Sequence, residues 1–188
     1  MNRLQLIKGI YRETTPVTLF RMQGAKLVSL RVESVQRAAG KTSFDLALVL
    51  PKLSINLSNS KVSEPSSSSS PLLVAAPRDL EEKRFLGPNG MSMRPLGPML
   101  AVLLHNFKGR CNVFEVPEGT KIPKGLILFH EHSDHFAVQP AEEMTLSELN
   151  KQLTAFLNQP GVIMSDKASF YNRHPGMTQE AVGFSENA

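Results

Sequence analysis

Residues 111–139 read CNVFEVPEGTKIPKGLILFHEHSDHFAVQ, and this stretch decides the fold class. Cys111–Val116 is a short apolar strand, and Pro117-Glu118-Gly119-Thr120 is a turn made of residues that favour one. Gly125–His132 and His135–Gln139 supply two further strands rich in Leu, Ile, Phe and Val. Upstream, Val17-Thr18-Leu19-Phe20-Arg21-Met22 follows Pro16 as a strand. Val28, Leu30 and Val32 alternate with Ser29, Arg31 and Glu33, the period of a half-buried strand. Phe44, Leu46, Leu48 and Leu50 repeat in the same way until Pro51, and Leu53–Leu57 reads as a fourth short strand. Gly87–Pro95 is punctuated by Gly and Pro and reads as a loop.

Helical signals are fewer. Pro98 suits the first position of a helix, where Met99, Val102, Leu103 and Phe107 keep helical spacing until Gly109. Thr145-Leu146-Ser147-Glu148 is a capping box, and the helix behind it buries Leu149, Leu153, Phe156 and Leu157. Strands outnumber helices and do not alternate with them, so the chain is α+β.

The 188 residues suit a single domain spanning 1–188, which removes roughly 70% of its unfolded surface from water. With 41% hydrophobic and 20% charged residues it reads as globular. Cys111 is alone, which excludes an intrachain disulfide and a zinc site of paired cysteines. The apolar runs fall short of a transmembrane helix. Leu4, Leu6, Ile7 and Ile10 are interrupted by Gln5, Lys8 and Gly9, so no secretory signal is expected. The expected address is intracellular and cytoplasmic, with signal-independent export left open.

Charge is unevenly divided: residues 1–77 carry +6 and residues 78–188 carry −2. The early bases are spread singly, and with no Trp and two Tyr a stacking platform is poorly supplied, which argues against nucleic acid as the partner. Residues 58–77, with Ser66–Ser70 unbroken, have little apolar surface and are expected to be a flexible insertion. Residues 162–188 are polar, and much of that tail is expected to be loose.

His130-Glu131-His132-Ser133-Asp134-His135 resembles the HxHxDH signature of the metallo-β-lactamase superfamily, whose zinc ions generate a hydroxide nucleophile. Three observations count against that reading. Phe136-Ala137-Val138 continues a strand where that superfamily has glycine. In a strand, His130 and His132 share one face and His135 takes the other unless the chain turns at Ser133. Only 53 residues follow His135, with His174 as their one imidazole. No metal site is expected, and a zinc-dependent hydrolase is the weakest of three functional readings.

The segment Val113–Leu157 also resembles the C-terminal half of the ADP-ribosyltransferase-like toxin family typified by the type VI secretion exported effector Two. The matching residues are Val116-Pro117-Glu118-Gly119-Thr120-Lys121-Ile122-Pro123-Lys124-Gly125-Leu126, then His135-Phe136, then Gln139-Pro140-Ala141 and the capped helix from Met144-Thr145. Gly87–Pro95 is similar to the Gly-Pro-Asn-Gly-Met-Ser-x-Arg-Pro loop of fungal-type members, and Leu19-Phe20-Arg21 matches the family's first Leu-aromatic-Arg strand.

The resemblance implies an ADP-ribosyltransferase-like fold, with two small antiparallel sheets holding NAD in a cleft between them, and NAD-dependent toxicity. It implies Arg21 as the cofactor-binding arginine on the NAD pyrophosphate. Ser92 would be the small hydroxyl at the nicotinamide end, serving both binding and catalysis. His135 would be the strand histidine that bonds a ribose hydroxyl or the substrate. A macromolecular acceptor of ADP-ribose and a neutralising immunity protein are the implied partners, with no membrane. One departure bears on the reaction: many such enzymes carry a glutamate on a later strand, whereas here Gln139 sits on the strand and Glu142 and Glu143 follow Pro140. The competing reading is therefore a catalytically silent NAD-binding or protein-interaction module of the same fold.

Overall fold

The computed structural model describes residues 6–47, 49–51, 72–74 and 87–178. In chain order its elements are β1 (Gly9–Tyr11), β2 (Leu19–Gln23), α1 (Glu33–Ala38), β3 (Val49–Pro51), β4 (Leu72–Val74) and β5 (Met91–Met93). There follow α2 (Pro98–Asn106), β6 (Asn112–Val116), β7 (Leu126–His132), β8 (His135–Pro140) and β9 (Met144–Thr145). Then come α3 (Leu146–Leu157), β10 (Ile163–Asp166) and α4 (Lys167–Arg173), followed by a 3-10 turn at Pro175–Met177. The fold is α+β, and its two main sheets are antiparallel, with orders β1-β7-β8-β5 and β10-β6-β2. A third small sheet, β3-β4-β9, accompanies them.

The β7–β8 pair is the centre of the first sheet. Its apolar run turns at Ser133, whose φ of 47° lies in the left-handed region that non-glycine residues seldom adopt. His130 Nε2 sits 2.8 Å from the Ser133 carbonyl oxygen and holds the turn. One face of the sheet carries Leu126, Leu128, Phe136 and Val138 into a core shared with Leu149, Leu153, Phe156 and Leu157 of α3. Those four α3 residues are the ones its spacing selects. The Thr145 hydroxyl caps α3 by accepting from the Glu148 amide at 3.2 Å. A second core lies between the other sheet and the helices α2 and α4, around Phe20, Leu104, Val113 and Phe170.

The two main sheets meet where β2 passes the end of β5. Phe20 on β2 and Arg94, just past β5, exchange backbone hydrogen bonds of 2.7 and 3.0 Å. Because β2 and β5 belong to different sheets, this bridge brings Arg21 against Ser92.

Several elements differ from the sequence reading. Val28, Leu30 and Val32 are buried and alternate with exposed Ser29 and Arg31, but the stretch is extended chain rather than a sheet strand. Its amides at Val28 and Leu30 donate to Thr154 Oγ1 and Asn150 Oδ1 of α3, at 2.9 and 3.0 Å. Two side chains one helical turn apart replace the neighbouring strand.

Gly87–Pro95 contains β5 rather than only a loop. Gly90 is what lets it dock: a Cβ there would meet the Val138 carbonyl oxygen at 2.1 Å, so the glycine marks a close backbone approach. Helix α2 buries Leu100, Ala101 and Leu104, while Met99 and Leu103 are exposed. Its sequence is apolar all round, so spacing alone does not fix which face turns inward.

Leu72–Val74, inside the expected insertion, form a strand between β3 and β9, and the remainder of 58–77 lies outside the described residues. So does the strand expected at Leu53–Leu57. The tail contains β10, paired with β6, and α4, whose Phe170 is fully buried. Glu115 of β6 fastens it through Arg173 and His174, each at 3.2 Å. Among the described residues no helix is long and apolar enough to cross a membrane.

Candidate functional site

At the junction of the two sheets a cleft of about 380 Å³ opens, lined by Arg21 and Met22 of β2, Arg31, Phe44 and Asp45, Ser92 and Met93 of β5, Leu103 of α2, Phe107 and His135 of β8. The three residues singled out from the sequence, Arg21, Ser92 and His135, all line it. Arg21 and Ser92 are in direct contact: Nη1 of Arg21 donates to the Ser92 carbonyl oxygen at 3.1 Å. The Ser92 side chain shares its sheet face with Ala137, its register partner, and therefore with His135 two residues away.

Arg21 is largely buried, with 12% of its side chain exposed, and Asp45 Oδ1 stands 3.9 Å from its Nη2. Burial pulls its pKa below the usual arginine value, Asp45 pushes it back up, and Arg31 lowers it again. A guanidinium keeps its proton under such pressure, so Arg21 is a desolvated cation facing a cleft. Asp45 also accepts from Arg31, at 2.9 Å from the backbone amide, 2.8 Å from Nε and 3.0 Å from Nη2. Burial raises the pKa of Asp45, but the hydrogen bonds from Arg31 and the charge of Arg21 outweigh it and leave the carboxyl below its ordinary value. The hydrogen bond to Asp45 raises Arg31, against the opposing effect of burial. Two guanidiniums therefore flank one carboxylate, leaving a net positive wall suited to an anionic ligand.

Behind His135 stands a carboxylate that the sequence reading passed over. The register between β7 and β8 shifts at Glu131, from His130 opposite Phe136 to His132 opposite His135. The resulting bulge re-aims the strand and turns His132 onto the face that Glu131 shares with His135. Glu131 is fully buried. Its Oε1 accepts from Gln139 Nε2 at 2.9 Å, and its Oε2 is 2.8 Å from His135 Nδ1, off the line of a good hydrogen bond.

The six-residue histidine run is thus divided. His130 stacks on Phe136 with ring centroids 4.2 Å apart, Asp134 pairs with Arg94, and Glu131, His132 and His135 bring ligand-type atoms within 4.8 Å of one another. Burial lowers the pKa of His132, with nearby His135 acting in the same sense, Glu131 and Asp134 opposing them and Arg94 adding to the fall.

Asp45 and Glu131 both escaped the sequence reading. Asp45 lies between Phe44 and Leu46 in an alternating stretch, where an acid is expected to face solvent. Glu131 was hidden by its resemblance to part of a metal motif. Gln139 lies on β8 and bonds Glu131, while Glu142 and Glu143 are exposed beyond Pro140; none of the three lines the cleft.

A cleft at the meeting of two small antiparallel sheets, with a buried arginine at its base, is the architecture of an ADP-ribosyltransferase-like domain. The model of the Tse2 ADP-ribosyltransferase toxin family matches residues 17–168, most of the chain, and the protein belongs to that family. No curated protein and no solved structure matches it.

Proposed function

We propose that the cleft binds NAD and that the protein cleaves its nicotinamide–ribose bond, passing ADP-ribose to a macromolecular acceptor inside the intoxicated cell. The observation that carries this reading is the desolvated Arg21 in contact with Ser92 at the junction of the two sheets. Arg21, with Arg31 beside it, takes the pyrophosphate; a planar guanidinium makes two parallel bonds to phosphate oxygens. Ser92 offers its hydroxyl at the nicotinamide end, and Phe44 and Phe107 supply apolar walls for the flat rings. His135 bonds a ribose hydroxyl and is held in place by Glu131.

When the C–N bond breaks, its electron pair leaves with neutral nicotinamide and positive charge develops on the ribose, as in glycoside hydrolysis. The acceptor's nucleophile then bonds to the anomeric carbon and gives up its proton. Oriented groups around the ribose, with water kept from the anomeric carbon, favour this route.

A second reading has its own support. Asp45 is the one carboxylate lining the cleft among the described residues, and Glu131 is fully buried behind His135. That arrangement suits a module that binds NAD without turning it over. Nicotinamide release by the purified protein separates the two. Release by the wild type, abolished in Arg21→Ala, supports the enzyme; NAD binding without release supports the module. Arg21→Lys is expected to weaken NAD binding about ten- to a hundredfold, since an ammonium cannot serve both the Ser92 carbonyl and a phosphate. Wild-type binding and growth arrest by Arg21→Ala would overturn the assignment. A neutralising immunity protein is the expected partner of a toxin of this kind.

A further inference from the structure

The geometry points to a transition-metal site at the head of the β7–β8 hairpin, formed by Glu131, His132 and His135 and suited to zinc. The three side chains offer one carboxylate oxygen and two imidazole nitrogens within 4.8 Å of one another. Two atoms each about 2.0 Å from a tetrahedral zinc lie roughly 3.3 Å apart, so modest side-chain rotation closes the set. Two imidazoles and a carboxylate are a donor set that zinc accepts readily, leaving a fourth position for water.

The second observation is a close, poorly aligned pair: Glu131 Oε2 and His135 Nδ1 stand 2.8 Å apart. Glu131 Oε2 and His135 Nδ1 are both buried and neither makes a well-aligned hydrogen bond, although Glu131 as a whole is fully enclosed. A buried carboxylate oxygen and a buried imidazole nitrogen without an aligned partner cost stability, and a cation between them satisfies both. The other oxygen of Glu131 is already fixed by Gln139 Nε2 at 2.9 Å, the kind of outer-shell bond that aims a metal-binding carboxylate.

This site is not the one that the HxHxDH pattern suggests. His130 is stacked on Phe136 and engaged with the Ser133 carbonyl, and Asp134 is taken by Arg94. The bulge selects a different three of the six residues, for a single ion. The sequence expectation that no metal binds rested on missing downstream ligands, which a mononuclear site within the hairpin does not require.

Occupation would engage the His135 imidazole that lines the cleft. Zinc would then restrain NAD cleavage; this consequence rests on the reading of the cleft given above, whereas the binding itself does not.

The test is titration of the purified, metal-free protein with cobalt(II), read by its visible absorption, and then displacement by zinc. One equivalent is expected to bind, with the intense bands of a four-coordinate ion. His132→Ala and Glu131→Gln are expected to weaken binding by more than about a hundredfold, beyond the 10- to 100-fold typical of losing an outer-shell partner. His130→Ala should bind as the wild type does. Circular dichroism confirms that each variant is folded. Should Glu131→Gln fail to fold, His132→Ala decides alone, since its side chain is only partly buried. Absence of cobalt binding, or equal binding by His132→Ala, overturns the site. In a nicotinamide-release assay, zinc should inhibit the wild type and spare His132→Ala. Cobalt binding without any NAD turnover would leave the metal site standing and remove the enzymatic reading.

Discussion

Replacing Asp45 with asparagine should move stability and anion affinity in opposite directions. The carboxylate of Asp45 accepts three hydrogen bonds from Arg31 at 2.8–3.0 Å and faces Arg21 at 3.9 Å. Leaving a buried charge without its counterion costs about 3–5 kcal/mol. Arg31, however, is 45% exposed, so solvent screens its share, and asparagine keeps one acceptor oxygen. The expected loss is about 2–3 kcal/mol by these bounds. For a chain of this length that lowers the melting temperature by roughly 4–12 °C.

The same substitution removes a negative charge from the wall that would receive a pyrophosphate. At an effective dielectric near 20, a unit charge about 8 Å away is worth about 2 kcal/mol, and salt reduces this. ADP-ribose binding, measured by calorimetry at low ionic strength, should tighten about tenfold. The gain should shrink as salt is added. An unchanged melting temperature would refute the ion-pair argument. Weaker ADP-ribose binding by a folded Asp45→Asn protein would show that Asp45 supports the anion site rather than competing for it.

Acid should act on the same group. The folded pKa of Asp45 is lowered, so its stabilisation is complete above the unfolded value of about 3.9 and is lost as pH falls through the folded one; thermal melts from about pH 5 down to 2 should show this limb in the wild type and not in Asp45→Asn. Gly90→Ala should destabilise by about 1–3 kcal/mol or more, because the added Cβ meets the backbone oxygen of Val138 at 2.1 Å, and urea unfolding should record it. Phe170→Ala should cost about 3–5 kcal/mol, since the ring is fully buried among Phe20 and its neighbours; a loss below about 1 kcal/mol in denaturant unfolding would mean that the tail contributes little to the core.

The parts of the fold that were legible in the sequence are those whose pattern has one physical solution. The α3 cap and its apolar stripe leave a single face to bury, and the structure buries Leu149, Leu153, Phe156 and Leu157. Val28–Val32 shows where such legibility stops. Its period of two reports burial on one side, which is correct, but the same period arises whether the amides meet a strand or the side chains of Thr154 and Asn150. In Gly87–Pro95 the glycine reads as loop punctuation, yet Gly90 is required because β5 packs its backbone against β8. The described part of the tail holds β10 and α4 because one aromatic, Phe170, and two contacts to Glu115 suffice to anchor a polar segment.

The candidate site tests this limit most severely, because it depends on an irregularity. Strict alternation along Phe129–His132 separates Glu131 from His132, and it separates both chemistry-bearing faces from one another. Glu131 already shares the side of Phe129, Ala137 and His135, and a single shifted register in β7 brings His132 to that side as well. Neither the identities of the six residues nor their spacing records that shift, since a bulge costs little and is fixed by how the neighbouring strands twist. Arg21 and Ser92 come together because the Phe20–Arg94 bridge joins β2 to the end of β5, a pairing that no alternation in Gly87–Pro95 announces. The roles of Arg21 and Ser92 therefore follow from the family resemblance and not from spacing, whereas the grouping of His132 with Glu131 and His135 follows from one bulged residue. Substitutions that straighten β7 should consequently return His132 to the face of His130, leaving the arginine wall in place and Glu131 opposite His135 while the three-residue cluster loses one member.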